Sequence, residues 1–176
     1  LGNVKFLVEQ GAKLDAVNIN GNTALHWVCK KGHNEVVEYL VLQHKAQDIS
    51  IDIKSNFGAA PITAAIIIHH DDIVGLLMQS NAAVNITDAE GCTLLKETAY
   101  SGSKAVLELI YNALTPAQQQ DTINQADQRG STPLTAAAEA GKLGNVKFLV
   151  EQGAKLDAVN NGRTALTWAC CEGHYK

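Results

Sequence analysis

Four consecutive residues, His69, His70, Asp71 and Asp72, form the densest cluster of potentially reactive side chains in the chain. Two imidazoles and two carboxylates can ligate zinc or a harder divalent ion. A bare run of ligand types is weak evidence without a supporting motif. The thiols Cys29, Cys92, Cys170 and Cys171 are the other candidates. They form no Cys-x-x-Cys pair and no even scaffold of bridges, which fits a reducing, intracellular setting. A nucleophilic thiol needs a base beside it, and none can be assigned. Nucleophile elbow, Walker loop and dinucleotide loop are all missing from the text. The expectation is recognition, with no catalytic group, no cofactor and no metal.

Composition narrows the partner. The 176 residues carry a net charge of −4 and no basic block, which disfavours a nucleic-acid partner. An apolar fraction of 46% and a charged fraction of 18% describe a folded chain, and the 5% of aromatics suits closely packed small-residue helices. The longest near-continuous apolar run, Ala59 to Ile68, is too short to cross a bilayer. No signal-peptide pattern begins the chain, but Leu1 is not a natural start, so this decides little.

Elements that position these residues emerge from self-similarity. The stretch LGNVKFLVEQGAKLDAVN occurs twice, at 1–18 and at 143–160. NGNTALHWVCKKGH follows the first copy and NGRTALTWACCEGH follows the second. Three further lines align on a Gly-x-Thr element, and the anchoring glycines are Gly21, Gly58, Gly91, Gly130 and Gly162. Their spacings of 37, 33, 39 and 32 residues define a period. The period and its words resemble the ankyrin repeat. Thr132, Pro133 and Leu134 match its Thr-Pro-Leu, and Thr23, Leu25 and His26 match the same element with Ala24 for the proline. Gly32-His33 and Gly173-His174 match the Gly-His turn; Gly11-Ala12 and Gly153-Ala154 match the closing Gly-Ala.

The resemblance implies an all-α, ankyrin-type α-solenoid of helix–turn–helix repeats with hairpin-like connecting turns. Its register divides the chain into a partial repeat at 1–17, repeats at 18–54, 55–87, 88–126 and 127–158, and a partial repeat at 159–176. Neither end carries a polar cap, so a monomeric fragment of a longer array is expected. Threonine before proline suits a capped helix start, and the turn glycines suit a helix stop. Second helices carry apolar faces, Val36, Val37, Leu40 and Val41 in one and Val146, Leu149 and Val150 in another. Repeat two departs, with Ala60 for threonine and His69 for glycine; Asn81 is expected to form a left-handed cap. Insertions follow two second helices, near 43–54 and near 112–125, where Pro116 marks a loop or a new helix start.

Within this register the His69–Asp72 run lies over the turn into a second helix, where Asp72 suits the helix dipole. Cys29 and Cys170 fall at a small buried core position, Cys171 on a more exposed side and Cys92 on a finger-like turn.

The resemblance also implies a concave binding face. On first helices it comprises Trp27, Lys30, Lys31, Ile67, Ile68, Glu97, Tyr100, Glu139, Trp168 and Glu172. Turn tips add Ile19, Asn20, Asn56, Phe57, Ala89, Glu90, Gln128 and Arg129. Trp27 and Trp168 are either interface anchors or sideways packing; at about 40 Å apart they would touch one extended partner, not one small molecule. Phe57, Ile67 and Ile68 form an exposed apolar patch, or Ile67 and Ile68 bury against Tyr100 and its neighbours.

The leading expectation is binding of another protein through the concave face. The alternative is a targeting segment of a larger enzyme or bacterial effector, with catalysis encoded elsewhere. Metal-dependent catalysis at His69–Asp72 and a purely architectural role stand behind these. The expected setting is cytoplasmic, or a host cytosol for an effector, without nucleic acid or membrane insertion.

Overall fold

Each repeat becomes a pair of short antiparallel helices because its apolar residues recur at helical spacing and its punctuation stops each helix early. The computed structural model describes residues 1–174 and is helical throughout, with no strand among them. First and second helices alternate: α1 (Gly2–Glu9) is a lone second helix, followed by α2 (Ala24–Lys31) with α3 (Asn34–Ala46) and α4 (Pro61–Ile67) with α5 (Asp71–Gln79). Then come α6 (Leu94–Ser101) with α7 (Lys104–Ala113), the extra α8 (Pro116–Thr122), α9 (Pro133–Glu139) with α10 (Leu143–Glu151), and the lone first helix α11 (Ala165–Cys171). The chain forms two compact units, residues 1–83 and residues 84 onward. Within each unit first helices pack on first helices and second on second: α2 on α4 and α3 on α5, then α6 on α9, α9 on α11 and α7 on α10.

Starts and stops follow the threonines and glycines. The side chains of Thr93, Thr132 and Thr164 accept the N–H of Lys96, Thr135 and Thr167 at 3.1, 3.3 and 3.3 Å. Such caps contribute about 1 kcal/mol each. Ala60 makes no such bond, and repeat two relies on Pro61 to preset the first turn. Gly32 closes α2 at φ 74°, and a Cβ there would come within 2.6 Å of the His70 ring, so both conformation and space demand glycine. His69 adopts the same left-handed conformation at φ 61°, and Asn81, as expected, at φ 63°.

The core of the first unit is Leu25, Cys29, Val37, Leu40, Ile62, Ile66, Ile73 and Leu77; that of the second is built on Leu95, Leu107, Ile110, Leu134, Ala137 and Leu149. The first insertion continues α3 to Ala46 and buries His44, whose Nδ1 lies 3.1 Å from the Ser50 carbonyl. Asp52 then receives the Ala83 N–H on both carboxylate oxygens at 3.1 Å. In the second insertion Pro116 does begin a helix, with Thr115 and Gln118 capping each other's backbone.

Two placements, those of Cys170 and Val150, correct the sequence reading. Cys170 is exposed rather than core, because no described element packs on the outer side of α11. Cys92 lies on its turn but is buried, since Asp88 Oδ1 takes its N–H at 2.9 Å and folds the turn inward. Val150 is exposed while Phe148 is buried, edge-on to Tyr111 at 5.4 Å. A second helix presents one side to the preceding repeat and another to the following one. Of the described helices α10 packs on α9 and α7, and no second helix follows it, so Val150 stays open.

Candidate protein-binding groove

The groove begins with a histidine that points inward. On α2, Leu25, His26 and Cys29 are buried, which turns Trp27 and Lys30 outward. His26 Nδ1 accepts the Thr23 N–H at 3.1 Å, and its Nε2 lies 3.0 Å from the Ala59 carbonyl, to which it donates in that tautomer. Burial lowers its pKa, against the opposing effect of the Ala59 bond, so the ring is held neutral. One side chain thus fixes the start of α2 and draws the next turn against it.

Adjacent turn tips are tied as well. Asn56 N–H donates to the Asn20 carbonyl at 3.0 Å, and Asn56 Nδ2 donates to the Ile19 carbonyl at 3.0 Å. Phe57 is left at the crest of its turn, 68% exposed. In the alignment of α2 with α4, Ala64 takes the place of Trp27, and Ile67 and Ile68 take the places of Lys30 and Lys31. A small residue beside a large one leaves a hollow. Its floor is Ala59 and Ala64, and its walls include Trp27, Phe57, Ile67 and Ile68. The volume is ≈ 230 Å³. Trp27 is 45% exposed, and Ile67 and Ile68 are exposed to a similar degree, so the open-patch alternative is the one observed. Lys30 Nζ stands 5.8 Å from the centroid of the Trp27 ring.

In the second unit the expected face is largely occupied by its own contacts. Arg129 pairs with Glu90 at 2.9 Å, and Gln128 donates its N–H to the Glu90 carbonyl at 3.0 Å and its amide to the Ala89 carbonyl at 3.2 Å. Glu97 accepts the Ser101 hydroxyl at 2.7 Å, and the Glu139 carbonyl lies 3.0 Å from His174 Nε2. Tyr100 and Glu172 are exposed. Trp168 is half-buried under the Arg163 guanidinium, 4.8 Å from the ring, with its indole N–H buried and unpartnered. It does not repeat the open setting of Trp27.

The structure therefore brings Trp27, Lys30, Phe57, Ile67 and Ile68 together around one hollow, with Ile19, Asn20 and Asn56 at the rim turns and Lys31 exposed at the end of α2. Sequence reasoning missed Asn22, Ser55, Ala59 and Ala64, which also line it. The available signal was the alanine at the register position of Trp27. Also missed was Lys96, the register counterpart of His26. Lys96 Nζ reaches Asp127 at 2.8 Å and joins neighbouring repeats by charge where His26 uses a neutral ring.

The His69–Asp72 cluster comes apart in the fold. His69 ends α4, His70 lies over Gly32, and Asp72 accepts the Asn34 side-chain amide, which holds its carboxyl below the ordinary carboxylate pKa. Among the described residues no three His, Cys, Asp or Glu side chains converge as for a metal ion. Burial pushes the Cys29 thiol up to about 12 and the Cys92 thiol to about 11, far from nucleophilic readiness at neutral pH. No described helix is long and apolar enough to cross a membrane.

Helix pairs that stack first on first and second on second within each unit define a repeat-type scaffold. Two ankyrin-repeat family models match, at residues 1–41 and 95–176, and the chain belongs to the ankyrin-repeat family. It is 29% identical over 158 residues to the human transient receptor potential cation channel subfamily A member 1, covering 89% of this chain and 14% of the channel. It is 33% identical over 171 residues to the palmitoyltransferase ZDHHC13 of Pongo abelii, covering 94% of this chain and 26% of that enzyme. The chain thus spans about a quarter or less of these relatives. A solved chain from the complex of a predatory endopeptidase of Bdellovibrio bacteriovorus with an immunity protein superposes with a TM-score of 0.80 at 29% identity, covering 98% of this chain and 86% of that one.

Proposed function

We propose that this chain is a protein-interaction module whose binding site is the groove of the first unit. The observation that carries this reading is the exposure of Trp27, Phe57, Ile67 and Ile68 around one hollow, while Leu25, Ile62 and Ile66 beside them fill the core. Exposed apolar patches on folded domains mark partner surfaces, and tryptophan is enriched among the residues that dominate binding energy. Ankyrin repeats generally mediate protein–protein interaction, and the solved structural neighbour comes from a complex of two proteins. Trp27→Ala should weaken the binding of a genuine partner by about 2 kcal/mol, roughly thirtyfold, and Phe57→Asp should abolish it, with thermal unfolding unchanged in both. Undiminished partner binding in both variants would remove the groove from consideration.

A second reading has its own support, the small share of each relative that the chain covers. In it, the repeats are the docking arm of a larger polypeptide whose activity lies in another domain. The complete reading frame decides this directly. A reducing compartment such as the cytosol belongs to either reading and is supported by four free cysteines, two of them exposed.

A further inference from the structure

The groove of the first unit has a chemical bias that narrows its partner, an inference that rests on the binding function proposed above. Of the side chains lining it, only Lys30 carries a charge, since the neighbouring His26 is held neutral. Lys31 follows at the exposed end of α2. Neither lysine forms an ion pair with a described residue. Both sit in the last turn of α2, where cations suit the helix dipole. That accounts for their sign but leaves their charge unneutralised beside an apolar hollow. The second unit differs at the corresponding register. Glu139 stands where Lys30 stands and Glu172 where Lys31 stands, on helices of the same class. The positive charge therefore belongs to this groove and not to the repeat.

The hollow is also small. Its ≈ 230 Å³ lies below the roughly 300–1,000 Å³ of drug-sized ligand sites. It suits a single large side chain anchored from an extended segment, between the Trp27 and Phe57 rings and above Ala59 and Ala64. We infer that the first-unit groove takes a peptide segment of a partner protein in which a large aliphatic or aromatic anchor lies within a few residues of Asp or Glu. The anchor fills the hollow, and the carboxylate meets Lys30 and Lys31 at its rim. The Lys30 ammonium over Trp27 holds the indole face and the charge in one place, so the two determinants are read together.

The test is selection of peptides from a displayed random 12-residue library on the full chain, followed by titration of the selected peptides as synthetic probes. Selected sequences should pair an apolar anchor with a nearby acidic residue. The double variant Lys30→Glu, Lys31→Glu should bind them about tenfold or more weakly, and replacing the peptide's acid by Lys should do the same to the unaltered chain. Affinity should fall as salt rises. Thermal unfolding of each variant checks that the fold is kept, and all substituted positions are exposed. Peptides that lose binding with Trp27→Ala yet carry neutral or basic flanks, and are indifferent to the lysine reversal, would overturn the acidic preference while sustaining the groove. Self-association lost with Trp27→Ala, without peptide selection, would replace the peptide by a second copy of the chain. Peptides indifferent to both Trp27→Ala and Phe57→Ala, or no selected peptide and no self-association, would remove the groove itself.

Discussion

The same eighteen residues stand at 1–18 and 143–160, and their two copies bury different residues. Phe6 is 60% exposed where Phe148 is 6% exposed, whereas Leu14 is 3% exposed where Leu156 is 59% exposed. Leu7 is open and Leu149 fully buried. Both segments form a helix closed by a left-handed glycine, Gly11 at φ 88° and Gly153 at φ 88°. Local sequence therefore sets the helix and its stop, and neighbours set which face becomes core. The α10 helix packs on α9 and α7, and Asn145 is drawn in to donate to the carbonyls of Ala99 and Gly102 at 3.0 and 3.2 Å. The α1 helix has the following repeat beside it, with Lys5 Nζ 5.7 Å from the Tyr39 ring. One residue of loop length separates the copies further on. The first continues into a turn in which Asn18 Oδ1 accepts the N–H groups of Asn20 and Asn22 at 2.9 and 3.0 Å. The second, one residue shorter, closes as an Asn161-Gly162 hairpin turn with both residues at positive φ, and Asn160 pairs with Arg163.

Identical text makes this comparison a controlled experiment. The largest effect expected is Leu149→Ala, a loss of about 2–5 kcal/mol in chemical denaturation, against less than about 0.5 kcal/mol for Leu7→Ala. The order should invert further along the segment, with Leu14→Ala costing about 2 kcal/mol or more and Leu156→Ala close to nothing. Equal losses within either pair would mean that sequence, not neighbours, decides burial here.

A smaller effect should separate the two units by pH. Burial lowers the pKa of His26, opposed by the Ala59 bond, and that of His44, opposed by bonds to Ser50 and Ile49 and by Asp15. An unfolded chain binds the proton first when the folded value is depressed, so this stability is complete above the ordinary histidine pKa of about 6.5 and declines as pH falls below it. Both residues lie in the first unit, and the only histidine of the second, His174, is exposed. Hydrogen exchange between about pH 7 and 5.5 should loosen residues 1–83 before the rest. His26→Gln with His44→Gln should reduce that difference; an equal loosening of both units would break the assignment.

Lys96 sharpens the contrast, because Asp127 receives an ammonium where Ala59 receives an imidazole. Lys96→Met should cost about 1–3 kcal/mol near neutral pH, with the second unit affected first. A loss of below about 0.5 kcal/mol would reduce the pair to a surface contact.

Much of the fold was legible in the sequence, for reasons visible in single residues. Threonine caps, the turn glycines Gly32, Gly141 and Gly173, and Asn81 each encode a local backbone state that local rules read, whereas Gly102, expected at the same left-handed turn position, is extended at φ −70°. Cys170 and Val150 were misplaced because their burial depends on what packs against them. The groove was half legible. Trp27, Phe57, Ile67 and Ile68 were visible as large residues at exposed register positions. The hollow between them arises from small residues, Ala59 and Ala64, which announce nothing by themselves. The uneven pair of tryptophans was hidden because Arg163 covers Trp168 through space.

The most direct test of the account sets Trp27 against Leu25, two residues apart on α2. Urea unfolding of Trp27→Ala should match the unaltered chain within about 0.5 kcal/mol, while Leu25→Ala loses about 2–5 kcal/mol. That result leaves the indole free to serve a partner. A loss for Trp27→Ala as large as that for Leu25→Ala would make the groove wall part of the core and contradict the proposed site.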